Sequence, residues 1–292
     1  MDRKLSFGVI GGSGLEQMSG LKNVYEHKVE ETPFGQPSGP VVVGEIEGVN
    51  IAFLARHGEG HHISPSEVNF RANIYALKSM GVERVVGVSA CGSLREDYAP
   101  GEIVIPDQIF DFTKSRKNSF FEEGIVVHVS VAEPFCPDLS ATLYKSVLDT
   151  GARVHQGGSF LTIEGPRFST RLESNVYRSW NMSLVGMTIS PEAFLAREAE
   201  MCYSVMGLVT DYDVWHDREG KVSFDKIVEI MNKNRTVALE AIHNLSLQIK
   251  AERPCDCSKA LAGAIATQPE LIDRATYARL SLLLSKYLKR DS

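Results

Sequence analysis

The chain has 292 residues, 43% of them hydrophobic and 23% charged, with a formal net charge of −6 at pH 7. That is the composition of a folded globular protein, not of a disordered or collagenous one, and it offers no global field to gather nucleic acid or anionic membrane. No run of about 18 apolar residues is present to span a bilayer, and Met1-Asp2-Arg3-Lys4 leads straight into a strand-like segment with no long apolar signal core, which points to a cytoplasmic protein.

Residues 5–10 form a short apolar run ending in Gly11-Gly12-Ser13-Gly14, the pattern of a buried strand leaving into a tight turn. Residues 41–46 and 50–55 read as a hairpin with Gly48 in the turn. Helical spacing runs from Asn69 to Met80 and stops at Gly81. Residues 84–90 are a buried strand ending in Cys91-Gly92-Ser93, and 102–105 a short strand ended by Pro106. A helix over 139–148 is stopped by Gly151, and 158–163 form a strand ending in Glu164-Gly165-Pro166-Arg167. Then come a helix over 170–179, a strand over 183–188, a helix over 191–200, a strand over 202–210 and a long helix over about 223–249.

Strands alternating with helices predict an α/β fold: a single domain with a twisted, mixed but mostly parallel central sheet flanked by helices. Residues 1–250 are assigned to that domain and 251–292 to a C-terminal helical extension, with Pro254 and Cys255-Asp256-Cys257 as the hinge. Leu280, Leu283, Leu284, Tyr287 and Leu288 have helical spacing, so the tail packs either on its own domain or across a subunit interface. Five cysteines at loose spacing do not form a secreted disulfide framework. The Cys255–Cys257 pair has no second pair in sequence, so no metal site is expected; a local disulfide, or a pairing with Cys136 or Cys202, is the alternative to free thiols.

Ligands of open α/β sheets bind at the carboxyl ends of strands. Gly12-Ser13-Gly14 can turn backbone N–H groups toward an anion. Arg56 can fork two phosphate oxygens and His57 can add a donor. Ser89, Ala90 and Thr188 stand at other strand ends, and together these residues describe a phosphate pocket without a metal. Asp211 and Asp213 are two residues apart at a strand end, so alternation would point both carboxylates at one site. Such a pair can share acid and base roles, because like charges push their pKa values apart.

The stretches VIGGSGL, RHGEGHHI-PSEVNF-AN, SACGSL, PGEIVIPDQ, AEPFCP, TIEGPRFSTRLES, MT-PE and TDYDVW occur in that order. They resemble the methylthioadenosine phosphorylases, within the trimeric purine nucleoside phosphorylases, over residues 6 to about 248. The resemblance implies the nucleoside phosphorylase fold. It implies phosphorolysis of S-methyl-5'-thioadenosine to adenine and 5-methylthioribose 1-phosphate, with inorganic phosphate as co-substrate and no cofactor. By the same resemblance phosphate lies among Ser13, Arg56, His57, Ser89, Ala90 and Thr188. The family often has threonine at positions 13 and 89; both serines keep the hydroxyl. Met187 is implied near the ribose, Phe168 on the base, and Asp211 and Asp213 at the base edge.

Phe224, Ile227 and Val228 share one helical face, and the resemblance sets them against the 5′ substituent. His128 matches a histidine that comes from the neighbouring subunit, which implies a homotrimer or a dimer of trimers. Alternatives within enzymes are a phosphorylase for methylthioinosine or for purine nucleosides in general, and a nucleosidase that uses water. A non-catalytic nucleotide-binding protein on the same fold is the alternative of another class.

Overall fold

The computed structural model describes residues 5–12, 14–29, 31–216 and 224–288. In chain order the elements are β1 (Leu5–Gly11), β2 (Lys22–His27), β3 (Val41–Ile46), β4 (Val49–Ala55), α1 (Phe70–Ser79), β5 (Arg84–Ser93), β6 (Ile103–Ile105), β7 (Gln108–Phe112), α2 (Pro137–Leu148), β8 (Val154–Gln156), β9 (Ser159–Ile163), α3 (Arg171–Ser179), β10 (Leu184–Gly186), α4 (Ile189–Glu198), β11 (Cys202–Asp211), α5 (Phe224–Gln248) and α6 (Arg274–Leu284).

The strands form one mixed sheet in the order β2-β3-β4-β1-β5-β10-β9-β7, with β11 also paired to β5, and β6 and β8 continuing from β11. At its centre β4, β1, β5 and β11 run parallel. Their carboxyl ends therefore lie together along one edge, which is where the expected site residues stand. β10 runs antiparallel to β5, with Val185 opposite Gly92, and so returns toward Ser89. Helices α2 and α5 bury Leu139, Leu143, Ala238, Ile242 and Leu245 against one face. Helices α1, α4 and α6 cover the other with Ile74, Leu77, Leu195 and Leu280. Two-sided cover explains why the central strands read as continuous apolar runs.

Local signals set several boundaries. The Asn69 side chain accepts from the Ala72 N–H and caps α1, while Thr170 and Glu173 form a reciprocal capping box at α3. Differences from the expected elements have identifiable causes. β2 is exposed along its whole length, so it carries no apolar alternation to read; β7 and β8 are short strands that were also not expected. β5 runs on through Cys91-Gly92-Ser93, because Gly92 and Ser93 pair with β10 where a turn was expected.

The C-terminal helical extension consists of a 3-10 turn (Asp256–Lys259), a second one (Pro269–Leu271) and α6. Its apolar residues Leu261, Ile272, Leu280, Leu283 and Leu284 are buried in the chain's own core, with Tyr287 and Leu288 packed beside them. At about 1.5–3 kcal/mol for each large apolar side chain buried, this face is committed to its own domain. Among the described residues, no helix is long and apolar enough to cross a membrane.

Candidate active site

At the carboxyl edge of the sheet lies a cavity of about 400 Å³. Gly12 follows β1, Arg56 and His57 follow β4, and Ser89, Ala90 and Gly92 come from β5. Phe168 and Ser169 enter from the β9–α3 loop, Met187 and Thr188 follow β10, and Asp211 and Asp213 come from the end of β11. The fold thus gathers the expected phosphate and base residues, except Ser13, which lies outside the described residues. His128 is exposed and does not line the cavity. Val228 is 37% exposed and does not line it either, and the side chains of Phe224 and Ile227 lie outside the described residues. Among the described residues, helix α5 meets the cavity with Met231, Asn232 and Arg235.

The anion end is built around Arg56, which is 2% exposed. Its Nε and Nη2 donate to the two carboxylate oxygens of Glu192, each at 2.8 Å. Nη2 also donates to the Ile10 carbonyl and Nη1 to the Val88 carbonyl, both at 3.0 Å. Four of the five guanidinium hydrogens are thereby used. The expectation that Arg56 forks phosphate is corrected: its fork grips Glu192, and one Nη1 hydrogen is left for a ligand. The Tyr203 hydroxyl donates to Glu192 Oε1 at 2.7 Å and locks the carboxylate further. Burial alone would lower the Arg56 pKa, but the charge and hydrogen bonds of Glu192 outweigh it and raise the pKa above its ordinary value.

Ser89 Oγ and Thr188 Oγ1 lie 2.7 Å apart, although 99 residues separate them in sequence. His57 Nδ1 is 2.8 Å from the Ile63 carbonyl, which only accepts, so Nδ1 carries the hydrogen. Burial, then the Arg56 charge, lowers the His57 pKa to about 4. The ring is neutral at pH 7, and its Nε2 is an acceptor, not the donor expected from sequence.

The base end holds the two aspartates, but not by strand alternation. Asp211 is the last residue of β11, while Asp213 opens a 3-10 turn (Asp213–Trp215) with φ of 52°. The Asp213 N–H donates to Asp211 Oδ1 at 2.7 Å, and the Thr210 hydroxyl donates to Asp211 Oδ2 at 2.7 Å. Burial raises both aspartate pKa values. Among the described residues, Asp213 Oδ2 is buried without a hydrogen-bond partner, and so are the hydroxyls of Ser169 and Ser174. Those hydroxyls lie near enough to favour the charged form of Asp213, yet neither reaches it with hydrogen-bond geometry. Buried polar groups in this condition mark a place where a polar ligand completes the set.

Sequence reasoning missed Glu192, Tyr203, Thr210 and Arg235. Glu192 had a readable signal, a lone carboxylate in an otherwise apolar helix start. Arg235 stands on α5 two turns after Val228. Also missed was Arg116, whose Nη1 donates to the Met187 and Ser190 carbonyls at 2.7 Å and whose Nη2 donates to the Glu164 carbonyl at 2.8 Å. It ties the ends of β9 and β10 together from a loop without regular structure.

Residues 6–245 match the model of the phosphorylase superfamily. The chain is 51% identical over 282 residues to an S-methyl-5'-thioadenosine phosphorylase of Geobacter sulfurreducens, covering 96% of this chain and 98% of that one. It superposes on a methylthioadenosine phosphorylase from an antarctic soil metagenomic library with a TM-score of 0.92, at 44% identity, covering 96% and 99% of the two chains. The methylthioadenosine phosphorylase of Schistosoma mansoni in complex with adenine gives a TM-score of 0.83 at 35% identity, with 97% and 98% covered. The chain belongs to the phosphorylase superfamily, and within it to the methylthioadenosine phosphorylases.

Proposed function

We propose that the chain cleaves S-methyl-5'-thioadenosine with inorganic phosphate, giving adenine and 5-methylthioribose 1-phosphate. The observation that carries this reading is the buried, unpartnered Asp213 Oδ2 at one end of a cavity whose other end is lined by Arg56 and paired hydroxyls. Adenine presents N6–H donors, which an ionised carboxylate accepts.

Phosphate sits between the remaining Nη1 hydrogen of Arg56, the hydroxyls of Ser89 and Thr188, and the backbone around Gly12 and Ala90. Neutral His57 accepts the P–OH hydrogen of monohydrogen phosphate on Nε2. As the glycosidic bond lengthens, positive charge grows on the ribose and negative charge on the purine. Bound phosphate stabilises the first and then attacks C1′. Asp211, whose pKa burial raises, donates a hydrogen bond or a proton to N7 of the leaving base. A donor aimed at developing charge contributes about 3–4 kcal/mol, and general acid help about 10²–10⁴-fold.

Phe168 stacks on the base and Met187 lies under the ribose. The methylthio group rests against the cavity face of α5 near Met231, with Phe224, Ile227 and Val228 one to two turns earlier. The chemistry needs no cofactor. His128 completes the 5′ side from a neighbouring subunit in a homotrimer or a dimer of trimers, in the cytoplasm where thiols stay reduced.

A nucleoside panel run with and without phosphate tests the reading. Adenine release from methylthioadenosine that depends on phosphate is expected. Release unchanged by phosphate would make the protein a nucleosidase, and a preference for methylthioinosine would move the substrate to 6-oxopurines.

A further inference from the structure

Four cysteines converge where the tail meets the core, far from the cavity. Cys136 is the N-cap of α2, Cys202 opens β11 at the end opposite Asp211, and Cys255 and Cys257 stand at the 3-10 turn after α5. Their Sγ atoms all lie within 4.8 Å of one another, with three of the residues buried and Cys255 half-buried. Cys202 and Cys255 approach to 3.3 Å between sulfurs. The expectation of no metal rested on a missing second pair. The fold supplies that pair from Cys136 and Cys202, which no spacing along the chain could reveal.

The arrangement is a mutual cluster, not two separate pairs. Tetrahedral zinc with Zn–S of about 2.3 Å places its sulfurs about 3.8 Å apart, a spacing compatible with four sulfurs that all lie within 4.8 Å of one another. A disulfide would require about 2.05 Å between two sulfurs. Two of the four sulfurs accept hydrogen bonds: the Leu139 N–H donates to Cys136 Sγ at 3.5 Å, and Arg197 Nη1 donates to Cys257 Sγ at 3.4 Å. N–H donors and a cation stabilise the negative sulfurs of a tetrathiolate site. A neutral disulfide gains little from either. Arg197 and the N-terminal end of the α2 dipole offset the double negative charge that four thiolates leave on a divalent ion.

We propose that Cys136, Cys202, Cys255 and Cys257 form a tetrahedral tetrathiolate site for one structural zinc ion per chain, clamping the C-terminal tail to α2 and β11. Binding releases the four thiol protons to solvent. The ion takes no part in the cavity's chemistry, and the proposal does not depend on the substrate.

The full-length chain, purified anaerobically without chelator, is tested by elemental analysis and native mass spectrometry. One zinc per chain is expected, with its loss in the Cys255→Ser, Cys257→Ser double variant. A strong chelator should lower the Tm of the wild type, and added zinc should restore it. Growth with cobalt keeps the test open if the double variant fails to fold: the wild type should then show the visible absorption of tetrahedral cobalt bound by thiolates. Substoichiometric zinc with every thiol titratable overturns the proposal. So does a mass reduced by the hydrogens lost in forming two disulfides.

Discussion

Arg56 and Glu192 make a bidentate ion pair beneath the cavity, with Nε–Oε2 and Nη2–Oε1 both at 2.8 Å and side chains 2% and 0% exposed. The pair is closed by Tyr203 above one oxygen and by the Ile10 and Val88 carbonyls on the guanidinium. It fixes the cation rigidly at the ends of β4 and β5. It also cancels most of its charge, so the phosphate end offers a directed donor more than a free positive field.

Glu192→Gln keeps the shape and removes the balancing charge. An uncompensated buried charge costs about 3–5 kcal/mol. Thermal unfolding without phosphate should show a loss of that order, and saturating phosphate should raise the Tm of the variant more than that of the wild type. An unchanged Tm would mean that Glu192 is not the counter-ion that the site depends on.

The central strands and the helices between them were legible because each is buried on both faces or carries a clear apolar stripe. The site was legible in part, because strand ends in parallel sheets lie together whatever the connecting loops do. Its supports were not. Glu192 on α4 and Tyr203 on β11 act through Arg56, a contact that spacing along the chain does not reveal, and Ser89 meets Thr188 only because β10 reverses against β5. Asp211 and Asp213 were expected to share a face by alternation. They meet because Asp213 leaves the strand in a left-handed conformation held by the Asp211 carboxylate.

Gly92 lies against that carboxylate. A Cβ there would stand 2.9 Å from Asp211 Oδ1 and 3.3 Å from Asp213 Cβ. Asp211 cannot retreat easily, since the Thr210 hydroxyl and the Asp213 N–H hold both oxygens. Gly92→Ala should therefore displace the aspartates, and a displacement of about 1 Å can cost about 10²-fold in rate. Overpacking itself should cost about 1–3 kcal/mol. Measuring kcat on methylthioadenosine beside the Tm checks both; wild-type kcat would show that the aspartates tolerate the shift.

Asp213→Asn should move specificity toward 6-oxopurines. An ionised carboxylate accepts from the adenine amino group but meets a 6-oxo group as acceptor against acceptor. Asparagine can turn its NH₂ toward that oxygen, and it also tolerates the left-handed backbone that position 213 adopts. An unsatisfied buried group costs about 1–3 kcal/mol, or roughly 5- to 150-fold in discrimination. The ratio of kcat/KM for methylthioadenosine to that for methylthioinosine should fall by about that factor. Equal use of both substrates by wild type and variant alike would remove Asp213 from reading the 6-position.

His57 should leave a mark on stability against pH. Its pKa falls from 6.5 in the unfolded chain to about 4 in the folded one, through burial first and the Arg56 charge second, with the Ile63 carbonyl opposing. Above pH 6.5 the ring is neutral in both states, and the contribution is fully present. Between 6.5 and about 4 the unfolded chain takes up a proton that the folded chain refuses, so stability is lost as pH falls through that window. Below it both states are charged and the loss levels off. At 1.36 kcal/mol per pKa unit the loss amounts to about 3 kcal/mol at most. Asparagine can still donate to the Ile63 carbonyl but cannot be protonated, so His57→Asn removes this term and leaves the other titrations in place. Urea unfolding of both proteins from pH 4 to 8, without phosphate, should show curves that run parallel above 6.5. Below it the wild type should drop more steeply than the variant. Parallel curves throughout would mean that His57 is not held neutral by the fold, and the acceptor role of its Nε2 toward phosphate would go with it.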